Sequence, residues 1–369
     1  MSPFEFMADG TIKQINPFSG TEVWTVPGRG KRPLEAPKVE VGECPCAFCW
    51  ERKRDTPPEK ARMLADGSVH RGVLASELDL TEPDFRRIPN LYEIVTFDYW
   101  KENYGFELNA TQRAHMEAYA SEAAGREHLA QFENPERFFG GGHDLIVARR
   151  HHDEHGLVSA GRLSPDEHFR FIKFTADSMR ELYENMPHAN YVVAFQNWLK
   201  PAGASFDHLH KQLVAIDGRG RSLRELEQRV LENPNLFQEQ GVDVARAHEL
   251  IISENEHAVL FAGFGHRYPT LEIHSKVTGL PWEHSDAQVR GFSDLVQLAH
   301  RAIGAGVPCN EEWHHQPRDV DRAMPWRVNL KLRNSTLAGF EGGTHIYINT
   351  ISPWELRDEV LENLAKQPS

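Results

Sequence analysis

Cysteine is scarce in this 369-residue chain: there are four, three of them packed into Cys44-Pro45-Cys46-Ala47-Phe48-Cys49. So few thiols argue against a disulfide framework, and their clustering suggests metal ligation in a reducing compartment. Basic charge is also short. Lys and Arg number 41 against 54 Asp and Glu, a formal net charge of −13. That balance disfavours wrapping a nucleic-acid backbone, which needs clustered cations, so a nucleotide partner is expected to be a small molecule. The sequence has no apolar run long enough to span a bilayer, no signal-peptide pattern after Met1 and no low-complexity tract. The expectation is a cytoplasmic protein without membrane contact. What remains is an ordinary globular composition, long for one core and suited to two domains.

The stretch that organises the chain is His208-Leu209-His210-Lys211-Gln212. It follows the loop Ala202-Gly203-Ala204-Ser205-Phe206-Asp207 and runs into Leu213-Val214-Ala215-Ile216, so residues 208–216 read as a strand. Side chains two apart on a strand share a face. His208, His210 and Gln212 would then form one polar row, backed by Leu209 and Leu213. Such a row is costly unless something occupies it, although satisfied core histidines are the plain alternative.

Cys46 and Cys49 form a CxxC pair, which can present two thiolates to one ion; zinc takes about four such ligands, so half of the site must come from elsewhere. Cys44 could replace one of the pair. A histidine where the strand His143–Arg150 runs out, at His151-His152, is well placed to complete the set. The basic loop Arg29-Gly30-Lys31-Arg32-Pro33 is either an anion contact or a solvated turn.

Further elements follow in order. Ile88–Val95 reads as a turn entering a strand, and residues 101–137 as helices in an insertion. Ser164-Pro165-Asp166-Glu167 is a capping box opening a helix to about Asn185, with Tyr191–Asn197 a strand after it. Strand, capped helix and strand then recur: Tyr268–His274, a helix opened by Ser285-Asp286-Ala287-Gln288, and Trp326–Leu332. On that repeat Pro325 and Arg327 stand where His208 and His210 stand, so the second half has lost its paired histidines. A charged helical linker, 217–250, would join the halves, and Ser352 opens a closing helix.

The string from Asn197 to Gln212 resembles the active-site motif of the galactose-1-phosphate uridylyltransferase branch of the histidine-triad superfamily, which includes ADP-sugar and diadenosine tetraphosphate phosphorylases. The CxxC, the basic turn and Gly339-Phe340-Glu341-Gly342-Gly343-Thr344 agree, the last most like ADP-sugar phosphorylases. The resemblance implies an α+β fold of two pseudo-repeated halves, each an antiparallel sheet flanked by helices. Residues 1–218 would be the catalytic and zinc half, and 219–369 a degenerate half. It implies His210 as a nucleophile passing through a nucleotidyl-imidazole, assisted by Gln212 and Ser205. Nucleotide and phosphate contacts would come from Arg29, Arg32, Asn90, Asn197 and Gly203, with Phe340 and Glu341 in an acceptor loop. One structural Zn2+ would sit on Cys46, Cys49, His152 and His208, with His151 the alternative to His152. The implied partners are a nucleotide sugar or other small nucleotide, phosphate or a sugar phosphate, and a second copy in a homodimer. The Lys and Gln that sugar-phosphate-using members carry near the acceptor loop have no equivalents around Ser335 and Ile348, which leaves the acceptor open. The other readings are a nucleotide-sugar or dinucleotide hydrolase and a non-catalytic zinc-stabilised nucleotide-binding protein.

Overall fold

The Ser164 hydroxyl accepts the Glu167 N–H at 3.2 Å, and the Glu167 carboxylate accepts the Ser164 N–H at 2.8 Å. This reciprocal cap, with Pro165 at the first helical position, starts α1 (Pro165–Asn185), whose Phe171, Ile172, Phe174, Met179 and Leu182 are buried. The protein is described by a computed structural model over residues 2–28, 45–333 and 335–367. The basic turn with Arg29, Lys31 and Arg32, and also Cys44, lie outside the described residues.

The chain divides into two compact units. One comprises Val41–Gln196 with Phe206–Gly218; the other comprises Met1–Glu40, Asn197–Ser205 and Arg219–Ser369.

In the first unit, β1 (Phe85–Pro89), β2 (His143–Ala148), β3 (Tyr191–Trp198, whose last two residues are grouped with the other unit) and β4 (His210–Ile216) lie in the order β3-β4-β2-β1. The short strands Ala61–Met63 and Val69–Arg71 continue past β1, and all pairings are antiparallel. His210 lies opposite Val147, Gln212 opposite Leu145 and Val214 opposite His143, so these six share one face. The other face meets α1, with the Lys211 ammonium 4.8 Å from the Phe171 ring centroid. The insertion is helical as expected, over Phe97–Tyr104, Ala110–Ser121 and Ala123–Leu129.

Two sequence expectations change. The strand expected within Ile88–Val95 instead ends at Pro89, where Asn90 turns the chain by accepting the Tyr92 N–H at 2.9 Å. The strand expected from 208 begins at His210. His208 stands in the bend before it, and the polar row on the strand reduces to His210 and Gln212.

In the second unit, β5 (Ala258–Ala262), β6 (Thr270–Thr278), β7 (Cys309–His314) and β8 (Pro325–Leu332) lie in the order β7-β8-β6-β5, again antiparallel, with α2 (Asp286–Ile303) between β6 and β7. This is the β-β-α-β-β sequence of the first unit. Trp326 stacks on Phe292 of α2 at 3.9 Å between centroids. Trp326 therefore faces the helix as Lys211 does, and Arg327 shares its facing with His210. A smaller sheet orders Phe4–Phe6, Ile12–Ile15, Glu22–Thr25 and Ile346–Asn349, the last pair parallel. Among the described residues, no helix is long and apolar enough to cross a membrane.

Candidate active site and metal centre

Cys46 and Cys49 sit on a tight turn closed by the bond from the Cys49 N–H to the Cys46 carbonyl at 3.0 Å. Their sulfurs are 3.8 Å apart. The Nδ1 of His208 is 3.5 Å from the Cys46 Sγ and 3.8 Å from the Cys49 Sγ, and the Nδ1 of His151 is 3.4 Å from the Cys49 Sγ. All four donor atoms lie within 4.8 Å of one another.

The donor set fits zinc. With Zn–S near 2.3 Å and Zn–N near 2.0–2.1 Å, a tetrahedron has edges of about 3.8 Å between sulfurs and about 3.6 Å between sulfur and nitrogen. The spacing found is that of ligands around a common centre. The Nε2 of His208 donates to the Ala148 carbonyl at 2.6 Å, which leaves the Nδ1 lone pair for the ion, a supporting bond typical of metal-bound histidine. Burial holds His208 down to about 3, and burial together with the adjacent His152 holds His151 down to about 4, so both rings are neutral near pH 7.

The histidine brought into the cluster is His151, not His152. His151 is buried and points inward, whereas His152 opens a two-residue strand and is half-buried, its ring centroid 4.1 Å from that of His151. The two rings lie side by side, and it is the Nδ1 of His151 that reaches the Cys49 Sγ. Cys309 is buried elsewhere, and among the described residues the cluster is alone of its kind.

The Nδ1 of His210 donates to the His208 carbonyl at 2.7 Å. That bond fixes the neutral tautomer with its lone pair on Nε2, and burial further lowers the basicity of the ring. Phe48, carried between the two cysteines, packs edge-on to His210 at 5.1 Å and against Phe206 at 4.6 Å. The CxxC loop is thus one wall of the His210 site. Behind the loop, the buried Arg86 donates to the Phe48 carbonyl at 2.9 Å.

On the same sheet face, the Gln212 Oε1 is 3.1 Å from the Nε2 of His143, and the Asn90 Nδ2 is 3.0 Å from the same nitrogen. His143 and Arg86 were not singled out from sequence. The signal for His143 was a lone histidine opening a buried strand, which pattern alone does not separate from a core residue.

Asn197, Gly203 and Ser205 belong to the other unit. There Asn310 ties the loop by donating to the Asn197 Oδ1 and to the Ala202 carbonyl, each at 2.7 Å. Gly203 has φ +88°, a conformation that favours glycine. Phe340 is exposed and Glu341 half-buried on the short helix Gly339–Thr344, where the Glu341 carboxylate accepts the N–H of Ala338 at 3.1 Å.

A family model described as "Domain of unknown function (DUF4921)" matches residues 7–368. The chain belongs to this family. This DUF4921 chain is 27% identical over 181 residues to ADP-glucose phosphorylase of Arabidopsis thaliana, a match covering 44% of the chain and 49% of that relative. The match thus spans about half the length of the curated relative. Over the whole fold, the DUF4921 chain is similar to an ADP-glucose phosphorylase from Arabidopsis thaliana solved with bound ADP-glucose (TM-score 0.66, 20% identity, 95% of this chain and 98% of the other). It is also similar to a galt-like protein from Arabidopsis thaliana (TM-score 0.65, 19% identity, 95% and 98%) and to a uridylyltransferase (TM-score 0.58, 18% identity, 97% and 99%). These likenesses establish the expected α+β fold of antiparallel sheets flanked by helices.

Proposed function

We propose that this chain is a nucleotidyltransferase that moves a nucleoside monophosphate group from a nucleotide sugar or dinucleoside polyphosphate to phosphate or a sugar 1-phosphate, by two displacements through His210. The observation that carries the reading is the His210 tautomer: Nδ1–H held at 2.7 Å by the His208 carbonyl, with the Nε2 lone pair left to attack. In the first displacement Nε2 forms a bond to the α-phosphorus, and the bond from that phosphorus to the leaving phosphate oxygen breaks, the oxygen departing with the electron pair. In the second, an oxygen of the acceptor phosphate attacks the same phosphorus and the N–P bond breaks, returning neutral imidazole. A neutral, desolvated imidazole is a good nucleophile and a good leaving group once phosphorylated. Gln212, on the same strand face, is positioned to meet the phosphoryl oxygens.

Zinc held by Cys46, Cys49, His151 and His208 would be four-coordinate and closed, and would supply structural tethering of the bend that leads to His210. The name of the Arabidopsis relative makes ADP-sugars the first donors to test and phosphate the first acceptor. With ADP-glucose labelled at the α-phosphate, the protein is expected to retain label in an acid-labile, base-stable bond, to release it on adding phosphate, and to retain none as His210→Ala. Label that persists in His210→Ala, or no label from any nucleotide sugar or dinucleotide, ends this reading.

A further inference from the structure

We infer that His143 is a positioning residue that fixes which end of the Gln212 carboxamide meets the transferred phosphoryl group. The inference rests on the reading of His210 as the nucleophile.

The ring of His143 is buried at the start of β2 and has three polar neighbours. The backbone N–H of Ile94 points at Nδ1 from 3.0 Å. A backbone amide can only donate, so Nδ1 must carry the lone pair. Burial pushes His143 towards its neutral form, and in that form the proton sits on Nε2. Two carboxamides approach this N–H, from Gln212 at 3.1 Å and Asn90 at 3.0 Å. The Asn90 oxygen is already turned to the Tyr92 N–H at 2.9 Å. Its NH2 therefore faces the imidazole donor to donor, and that contact contributes no hydrogen bond. The acceptor left for Nε2–H is the Gln212 oxygen.

A glutamine amide on its own turns end for end at little cost. One orientation offers NH2 to a phosphoryl oxygen; the other offers a carbonyl, which repels it. His143 lies opposite Val214, diagonal to Gln212 on the face that carries His210. It holds the carbonyl end inward and so leaves the NH2 end as the donor. The ring thus passes the fixed polarity of one backbone amide, that of Ile94, to a mobile side chain beside the nucleophile.

The test is the single-turnover rate of adduct formation from ADP-glucose labelled at the α-phosphate, using full-length protein at saturating donor. His143→Ala is expected to slow the step by about tenfold to a hundredfold. Gln212→Ala should slow it to a similar extent, and the double variant should be less than about twofold slower than Gln212→Ala alone, because the two residues act as one unit. His143→Gln, which keeps a donor near the place of Nε2, should recover most of the rate. His143→Asn, which keeps only an acceptor toward Ile94, should not. These two variants carry the test if His143→Ala does not fold. Losses that multiply in the double variant, or rescue by Asn rather than Gln, overturn the inference and leave the role of His210 intact. A wild-type protein that forms no adduct removes both.

Discussion

At the scale of single residues, the site works by assigning each ring nitrogen one task. His208 spends Nε2 on the Ala148 carbonyl and leaves its Nδ1 lone pair for the proposed metal, whereas His210 spends Nδ1 on the His208 carbonyl and leaves its Nε2 lone pair for the proposed attack on phosphorus. Two histidines of one short motif thus end in opposite tautomers, and backbone carbonyls select both. The same reasoning separates His151 from His152, of which only the first reaches Cys49. Metal analysis of purified variants should therefore find close to one zinc per chain in His152→Ala. In His151→Ala, zinc affinity should fall by more than the roughly 10–100-fold that loss of a supporting partner costs. Equal retention by both variants would contradict the geometry. Sequence could not choose between the neighbours, because the choice depends on which of two adjacent rings reaches the CxxC turn, a contact between residues far apart along the chain.

At the scale of elements, two β-β-α-β-β units share strand order but differ in what covers the equivalent sheet face. In the first, the cover is the CxxC loop, with Phe48 against His210 and in a cluster with Ile88, Leu145 and Val147. In the second, Arg327 stands at the repeat position of His210, with Phe18 and Phe237 stacked on its guanidinium at 5.0 and 4.3 Å. Phe237 packs in turn with Leu226, Val230, Leu236 and Met324. The segment read as a linker over 217–250 is in part this roof, and it leaves the second face packed with side chains. Replacing Phe48 by Ala should cost about 3 kcal/mol in a denaturant melt and slow adduct formation as well, since the removed ring packs edge-on to the proposed nucleophile. A stability loss with an unchanged rate would show that the loop is not a wall of the site. The capped helices and alternating strands were legible in sequence because their signals are local. The cover was not, because Phe18 and Phe237 are far from Arg327 along the chain.

At the scale of the whole molecule, buried ionisable groups make stability depend on pH. Burial opposes ionisation of Glu272, but His266 and His274, with bonds of 2.7 and 3.0 Å to its two oxygens, outweigh it and hold the carboxyl well below the usual range. Burial likewise holds His143, His274 and His314 below the ordinary histidine value. In each case the unfolded chain takes up a proton that the native chain refuses, so stability falls with falling pH. The histidines act from about pH 6.5 downward and Glu272 from about pH 4.5 downward. Melting temperatures should be level near neutrality and decline through both windows, and Glu272→Gln should flatten the lower one. A melting temperature that rises on acidification from neutrality would refute this account. Neither window was readable from composition, since a count of 20 histidines does not say which are buried.

The parallel pairing of Glu22–Thr25 with Ile346–Asn349 joins positions 324 apart in the chain. During synthesis the early strand leaves the ribosome long before its partner exists, and closing so long a loop is slow. The first three strands of that sheet pair with their neighbours in sequence, so only its fourth strand must arrive late, and a chain truncated before Ile346 would carry the first three with one edge bare.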